Sequence, residues 1–124
     1  MATVTPTFSR DIGESDGSLN FYTWVLTTAN TDGEPVQAQQ WADRTFQVVG
    51  TFGGATCSIE GSNDGTNWAT LSNAAGSAAA TFTVAGIKAI IELPRFIRPN
   101  LTVAGSGASL TVTLLARRQQ PLRT

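Results

Sequence analysis

Apolar side chains recur in this chain at every second position rather than at every third or fourth. Residues 55–60 (ATCSIE) and 110–114 (LTVTL) alternate strictly between apolar and polar side chains. A period of two places alternate side chains on opposite faces of a β-strand, whereas an amphipathic helix needs a period of 3.6. The pattern predicts an all-β chain whose strands each bury one face.

The clearest local signal is a β-hairpin in the middle of the chain. The segment GSNDGTN, residues 61–67, separates the alternating strand 55–60 from a return strand at 68–71. Asp64-Gly65 supplies the positive-φ positions that a tight hairpin turn requires. We therefore expect antiparallel pairing on either side of this turn.

Other strand candidates follow at short, regular intervals, and turn residues separate them. Pro94 and Pro99 are expected at strand ends or at a sheet edge, because proline cannot donate a ladder hydrogen bond. We expect a single-domain, antiparallel, jelly-roll-like β-sandwich of about eight strands. Its parts are an N-terminal arm with the first strands (1–43, the same unit), a core (44–116) and a flexible basic tail (117–124). The other strand candidates are 20–26, 36–41 (an edge strand or an extended arm), 45–49, 80–84, 87–93, 96–98 and 110–115.

Charge is sparse and unevenly distributed. Only 14% of the 124 residues are charged, against about 25% in an average domain. Residues 1–87 hold eight acidic and two basic residues, whereas 88–124 hold six basic and one acidic. Such a chain can pair with copies of itself, which favours a homo-oligomer; alternatively, the charges are scattered over solvated loops.

The residues needed for catalysis are largely missing. The chain has no histidine, which removes the usual general base and the commonest zinc ligand. Cys57 lies on the apolar face of its strand and is expected to be a buried, inert thiol. Glu60, Asn63, Asp64 and Asn67 offer oxygen ligands, but they do not follow the order of a calcium loop, and turn geometry is the stronger explanation. We expect no enzyme activity, no metal and no cofactor.

Nucleic acid and membrane partners are not expected either. The calculated pI is 5.2, whereas nucleic-acid-binding domains are usually strongly basic. No apolar run reaches the length of a membrane span, and the first residues lack the pattern of an export signal. We therefore expect synthesis and assembly in a reducing cytoplasm.

Two residue types are candidates for a protein interface. Trp24 and Trp41 lie in segments that the pattern does not assign to the core, and exposed tryptophans favour interfaces; a core position is the alternative. The arginine guanidinium suits charge-assisted hydrogen bonds to carboxylates of a partner, with surface solubility as the alternative. The candidate arginines are Arg95, Arg98, Arg117 and Arg118.

Several stretches resemble small structural proteins of tailed phages. These are 45–56 (TFQVVGTFGGAT), 59–71 (IEGSNDGTNWATL), 92–99 (ELPRFIRP), a glycine-rich turn at 104–107 and 110–118 (LTVTLLARR), so that the likeness covers about 41–118. The resemblance implies a capsid decoration (cement) protein: a β-sandwich or jelly-roll subunit on the capsid exterior. Its implied partner is the major capsid protein lattice, which it binds as a dimer or trimer, and its implied location during assembly is the host cytoplasm.

A second resemblance competes with the first. The run SNDGTNW is similar to a hairpin of discoidin-like and carbohydrate-binding β-sandwiches. It implies a virion-attached carbohydrate- or receptor-binding module as the alternative function. Asn63, Asp64 and Trp68 are its candidate ligand residues.

Overall fold

Every regular element of the described residues is a β-strand. A computed structural model describes residues 3–10, 19–37, 43–73 and 78–117, and these ranges contain ten strands and no helix. The all-β prediction is confirmed. The strands are β1 (Thr7–Arg10), β2 (Leu19–Thr27), β3 (Val36–Gln37), β4 (Asp43–Thr51), β5 (Thr56–Ser62), β6 (Ala69–Thr70), β7 (Thr81–Phe82), β8 (Gly86–Ala89), β9 (Phe96–Val103) and β10 (Ser109–Arg117).

The strands form two antiparallel sheets that pack face to face. One five-stranded sheet has the order β1-β2-β10-β4-β8, and the other has the order β3-β9-β5-β6, with β7 also paired to β5. Apart from β1 and β7, eight strands remain, and each sheet takes four of them in interlocked Greek-key order. This is the jelly-roll arrangement. The predicted jelly-roll-like sandwich is confirmed, with β1 and β7 as additions to its eight strands.

The core lies between the two sheets and follows the predicted alternation. On β10, the buried residues Leu110, Val112 and Leu114 alternate with partly exposed ones. A row of aromatic rings adds to this layer: Trp24 stacks on Tyr22 and on Phe46, each with 6.3 Å between centroids. Aromatic and branched side chains from facing sheets fill such a core closely.

Chain segments outside the main ladders tie the two sheets together at both edges. At one edge, the amide of Val4 donates to the carbonyl of Asp32 (2.8 Å). At the other edge, Asn73 forms an isolated bridge with Ile90, and the amide of Ile91 donates to the carbonyl of Ser72 (3.2 Å). These contacts cover sheet edges that would otherwise invite pairing with other chains.

Several strand boundaries differ from the sequence-based expectation. The predicted strand 80–84 is reduced to β7, Thr81–Phe82, because the chain bends at Thr83 and Val84. The predicted strand 87–93 ends at Ala89. The amide of Ile90 still donates to Arg44 of β4, but the amide of Ile91 donates to the carbonyl of Ser72, beside the other sheet. Pro99 lies inside β9 rather than at a strand end or edge. Its carbonyl accepts from the amide of Gly33 (2.9 Å) and therefore points away from β5. The nitrogen and the carbonyl of a strand residue point to the same side, so the missing N–H of Pro99 removes no hydrogen bond from the β5–β9 ladder.

Candidate protein-interaction face

The outer face of the five-stranded sheet is a broad, regular surface. Its register places Val25, Thr111 and Val49 side by side in one row, with Thr23, Thr113, Gln47 and Ile87 in the next. We call this surface the uncharged face. It consists of Thr7, Phe21, Thr23, Val25, Thr27, Thr45, Gln47, Val49, Thr51, Ile87, Ala89, Ser109, Thr111, Thr113 and Leu115.

None of the residues that define the uncharged face carries a charge. Three of its apolar members are open to solvent, with Val25 49%, Val49 42% and Ile87 63% exposed. Threonine fills most of the remaining positions, and its methyl group and hydroxyl suit a pleated surface that is to be partly buried. Depletion of charge is the compositional mark of the centre of a protein interface.

The uncharged face is also large enough for a specific protein contact. Three strands of nine residues and two strands of four residues, with a rise of about 3.3 Å per residue and a spacing of about 4.8 Å between strands, give an area on the order of 550 Å². A standard interface covers about 800 Å² on each partner. One docked protein surface would therefore cover most of this face.

Charged residues lie directly beyond one end of the uncharged face. Asp43 and Arg117 pair across β4 and β10 in the row that follows Thr45 and Leu115, and both are exposed. We call this the lower end of the sandwich, where β4 and β9 begin and β5 and β10 end. A cavity of about 410 Å³ opens here. It is lined by Asp43, Arg44, Thr45, Ala89, Ile90, Ile91, Leu115 and Arg117.

The outer face of the other sheet has a different character. Glu60 on β5 accepts hydrogen bonds from Arg98 Nε (3.0 Å) and Nη2 (2.9 Å) on β9, and from Asn100 Nδ2 (3.3 Å). The guanidinium of Arg98 also lies 4.1 Å from the ring centroid of Trp68. This face holds a compact polar network that satisfies its own charges, so it offers a partner less than the uncharged face does.

The predicted arginines have different surroundings. Arg98 forms the expected charge-assisted hydrogen bond, but with Glu60 of its own chain. Arg95 is exposed and stacks over Phe96, 5.1 Å from the ring centroid, and Arg117 is exposed at the lower end. Arg118 lies outside the described residues. Arg95 and Arg117 thus remain accessible at the same end of the sandwich, whereas Arg98 is paired with Glu60 of the same chain.

The two predicted tryptophans were assigned to an interface. Trp24 is instead completely buried and donates from Nε1 to the carbonyl of Glu34 (3.1 Å). Its place on the inward side of β2 leaves no ring surface for a partner, which corrects the interface assignment. Trp41 lies outside the described residues.

The residues of the carbohydrate-binding alternative come together in the β5–β6 loop, but their polar groups are occupied there. Asn63 Oδ1 accepts from the amide of Arg95 (3.1 Å). Both carboxylate oxygens of Asp64 accept hydrogen bonds from within the loop, including those from the amides of Thr66 and Asn67 at 2.8 Å each. The loop therefore uses these side chains to build its own turn, as the turn-geometry explanation expects.

Groups capable of covalent or metal chemistry are few. Cys57 is fully buried, and burial raises the pKa of its thiol to about 12, so the reactive thiolate is strongly disfavoured. Within the four described ranges, no three acidic or sulfur ligands lie close enough to hold a metal ion. No helix in those ranges is long and apolar enough to cross a membrane.

The uncharged face was not predicted from the sequence, because tryptophan and arginine were the residue types considered as interface candidates. The signal was present in the polar positions of the alternating strands. In β10 these positions hold Ser109, Thr111 and Thr113, and in β4 they hold Thr45, Gln47 and Thr51. A solvated strand face usually carries charged side chains at some of these positions, whereas here the charged residues on this side of β4 and β10, Asp43 and Arg117, lie only in the terminal row.

These features define a jelly-roll β-sandwich with one uncharged outer face. No family model matches the chain, and no curated protein does. Among solved structures, it is similar to the SPBc2 prophage-derived protein YomS, with a TM-score of 0.58 over 86% of this chain and 98% of that one. The two sequences are 9% identical, so the similarity concerns the fold alone.

Proposed function

We propose that this chain is a structural protein of a tailed-phage virion that decorates the outside of the head and stabilises the lattice of the major capsid protein. The uncharged face is the observation that carries this proposal, because it presents an interface-sized surface without charge. The resemblance over residues 41–118 and the fold shared with a prophage-derived protein support the phage context. The proposed role is adhesive and requires no reaction.

Mass action explains how such a protein would stabilise a shell. A subunit that binds the assembled lattice and not the dissociated subunits stabilises the lattice by RT ln(1 + [L]/Kd), about 2.7 kcal/mol at 100 times Kd. Many copies would add to this effect. A dimer or trimer, as the sequence analysis expects, would bridge neighbouring capsomers and gain avidity.

The receptor-binding alternative has less support from the geometry. It depends on Asn63, Asp64 and Trp68, yet the first two are engaged in the loop and the third is stacked against Arg98. Binding of the purified chain to an immobilised glycan would revive this alternative.

The test is to add purified protein to heads assembled without it, and to measure co-sedimentation and the temperature of genome release. The wild type should co-sediment and raise the release temperature. Thr113→Glu places a carboxylate at the centre of the uncharged face, and an unpaired buried charge should weaken binding at least about tenfold. The matched control is Thr83→Glu, at an exposed bend after β7, which should bind like the wild type. Heads that release their genome at an unchanged temperature would reject the decoration role.

A further inference from the structure

Arg44 is a buried cation with no partner. It lies on β4 opposite Ala116 of β10, on the inward side of the sheet, and it is only 2% exposed. Its Nε, Nη1 and Nη2 atoms are all buried and make no hydrogen bond. A guanidinium has five N–H donors and stays charged in proteins, so this side chain holds a full set of unused donors.

Glu92 interacts with Arg44 electrostatically but forms no hydrogen bond or ion pair with it. Burial lowers the pKa of Arg44, and the charge of Glu92 partly opposes that effect. The Oε1 atom of Glu92, however, accepts from the amide of Ser72 at 2.7 Å. The one ion pair among the described residues joins Arg98 and Glu60. The burial of Arg44 therefore carries a desolvation penalty, and no direct ion pair compensates it.

The cavity at the lower end borders this site, and the guanidinium, whose nitrogens are buried in the free protein, would turn toward it to meet an anion. Arg44 lines it together with Ile90 and Leu115, and the cavity continues directly from the last rows of the uncharged face. Two arginines, Arg44 and Arg117, and one carboxylate, Asp43, line the cavity. The buried guanidinium of Arg44 has no hydrogen-bond acceptor, and its planar fork suits a carboxylate.

We propose that Arg44 receives a carboxylate of the partner protein, carried on an apolar segment that fills this cavity. The choice of a protein as the source rests on the proposed function, since the cavity adjoins the face that docks there. The carboxylate would fix the orientation of the docked protein, because it engages one end of an otherwise uniform surface. Ordered water bridging Arg44 to the unpaired Oδ1 of Asn20, in the same inward row, is the competing explanation.

The first experiment uses the isolated protein and sodium isobutyrate, a branched carboxylate, as the probe. At about nine times its Kd, the probe favours the folded state tenfold and should raise the Tm by about 4 °C. Isobutyramide, its uncharged isostere, and sodium chloride at equal ionic strength should not. The guanidinium NMR signals of wild-type Arg44 should shift with isobutyrate alone, which tests the site without a substitution.

Arg44→Met is the matched variant, since it keeps the length and removes the charge. It should lose the isobutyrate response and melt no lower than the wild type in probe-free buffer, because an unpaired buried charge is replaced by an apolar chain. A wild type without any isobutyrate response would support the water explanation and overturn the site. A stronger response to inorganic phosphate than to isobutyrate would overturn the carboxylate assignment.

The source of the carboxylate is tested on heads. A partner carboxylate predicts that Arg44→Met weakens head binding about tenfold and that isobutyrate competes with the heads. If isobutyrate binds but Arg44→Met decorates heads normally, a free small carboxylate is the ligand and the partner assignment is wrong. If isobutyrate binds and the wild type ignores heads, the proposed function fails while the Arg44 site stands.

Discussion

A single carboxylate organises the β5–β6 loop. Asp64 Oδ1 accepts from the amides of Thr66 and Asn67 and from the hydroxyl of Ser62, and Oδ2 accepts from Asn67 Nδ2. The hydrogen bonds from Asn67 and Thr66 favour the ionised form and hold the pKa of Asp64 well below its usual range. The adjacent Gly65 has a φ of +78°, which glycine adopts without strain.

This pKa shift makes the stability of the chain depend on pH in a definite direction. The folded-state pKa is below the unfolded one, so the contribution of Asp64 is complete above about pH 4 and is lost as the pH falls towards the folded-state value. Between about pH 5 and about pH 2.5, the wild type should lose more free energy of unfolding than Asp64→Asn, as measured by urea denaturation. Equal losses in the two proteins would show that the loop does not bind the carboxylate as described.

Single residues were predictable only where their type has a strong local preference. The SNDGTN run predicted a turn because its residues favour turns, and Cys57 was predicted to be buried from the alternation around it. The burial of Arg44 was not predicted, since arginine is almost never fully buried without a partner, although it lies two residues before Phe46 and therefore on the same side of the strand. Trp24 was misassigned because β2 lies in a region where the alternation was hard to follow.

At the scale of elements, two glycine-containing loops lock the upper end of the sandwich. The amide of Ser106 donates to the carbonyl of Gly53 (2.9 Å), which joins the β4–β5 and β9–β10 loops. Gly105 and Gly107 both have positive φ, at +71° and +67°. They differ in space: a Cβ at Gly105 would lie 2.7 Å from the backbone nitrogen of Ala55, whereas one at Gly107 meets nothing within 4 Å.

The two glycines therefore provide a matched pair. Gly107→Ala should lower the free energy of unfolding by about 1 kcal/mol, because alanine is strained in the left-handed conformation. Gly105→Ala should lower it by roughly a further 1–3 kcal/mol, because the two loops must also separate. Thermal or urea unfolding measures both. A Gly105→Ala variant as stable as Gly107→Ala would mean that the loops do not pack at this distance.

Strands were predicted best where one face is buried along their whole length. β10 alternates along its whole length and β4 alternates as far as Val48, and the predicted strands 45–49 and 110–115 lie within them. The 87–93 strand was drawn too long because Ile91 and Leu93 are apolar yet exposed, so hydrophobicity alone did not mark where the chain leaves the sheet. β9 was drawn too short because the bonding side of Pro99 depends on which segments lie beside it.

At the scale of the whole molecule, the fold rearranges the charge asymmetry of the sequence. The acidic first part and the basic last part interleave across the sheets, so that Arg98 neutralises Glu60 and Arg117 lies opposite Asp43. The folded surface is therefore divided differently from the sequence: one sheet presents a charged network, and the other presents the uncharged face. Each of these two surfaces combines residues from strands that are far apart in the sequence. For this reason the sequence predicted the fold class but not the candidate site.

We propose that the uncharged face is the surface that meets the capsid. A cryo-electron microscopy reconstruction of heads decorated with this protein tests it most directly, because a jelly roll can be oriented from its strand order. We expect the outer face of the β1-β2-β10-β4-β8 sheet to lie against the capsid shell, with Thr111 and Thr113 near the centre of the contact. A reconstruction in which that sheet faces solvent, and the shell is met by the Glu60–Arg98 face, would contradict the account.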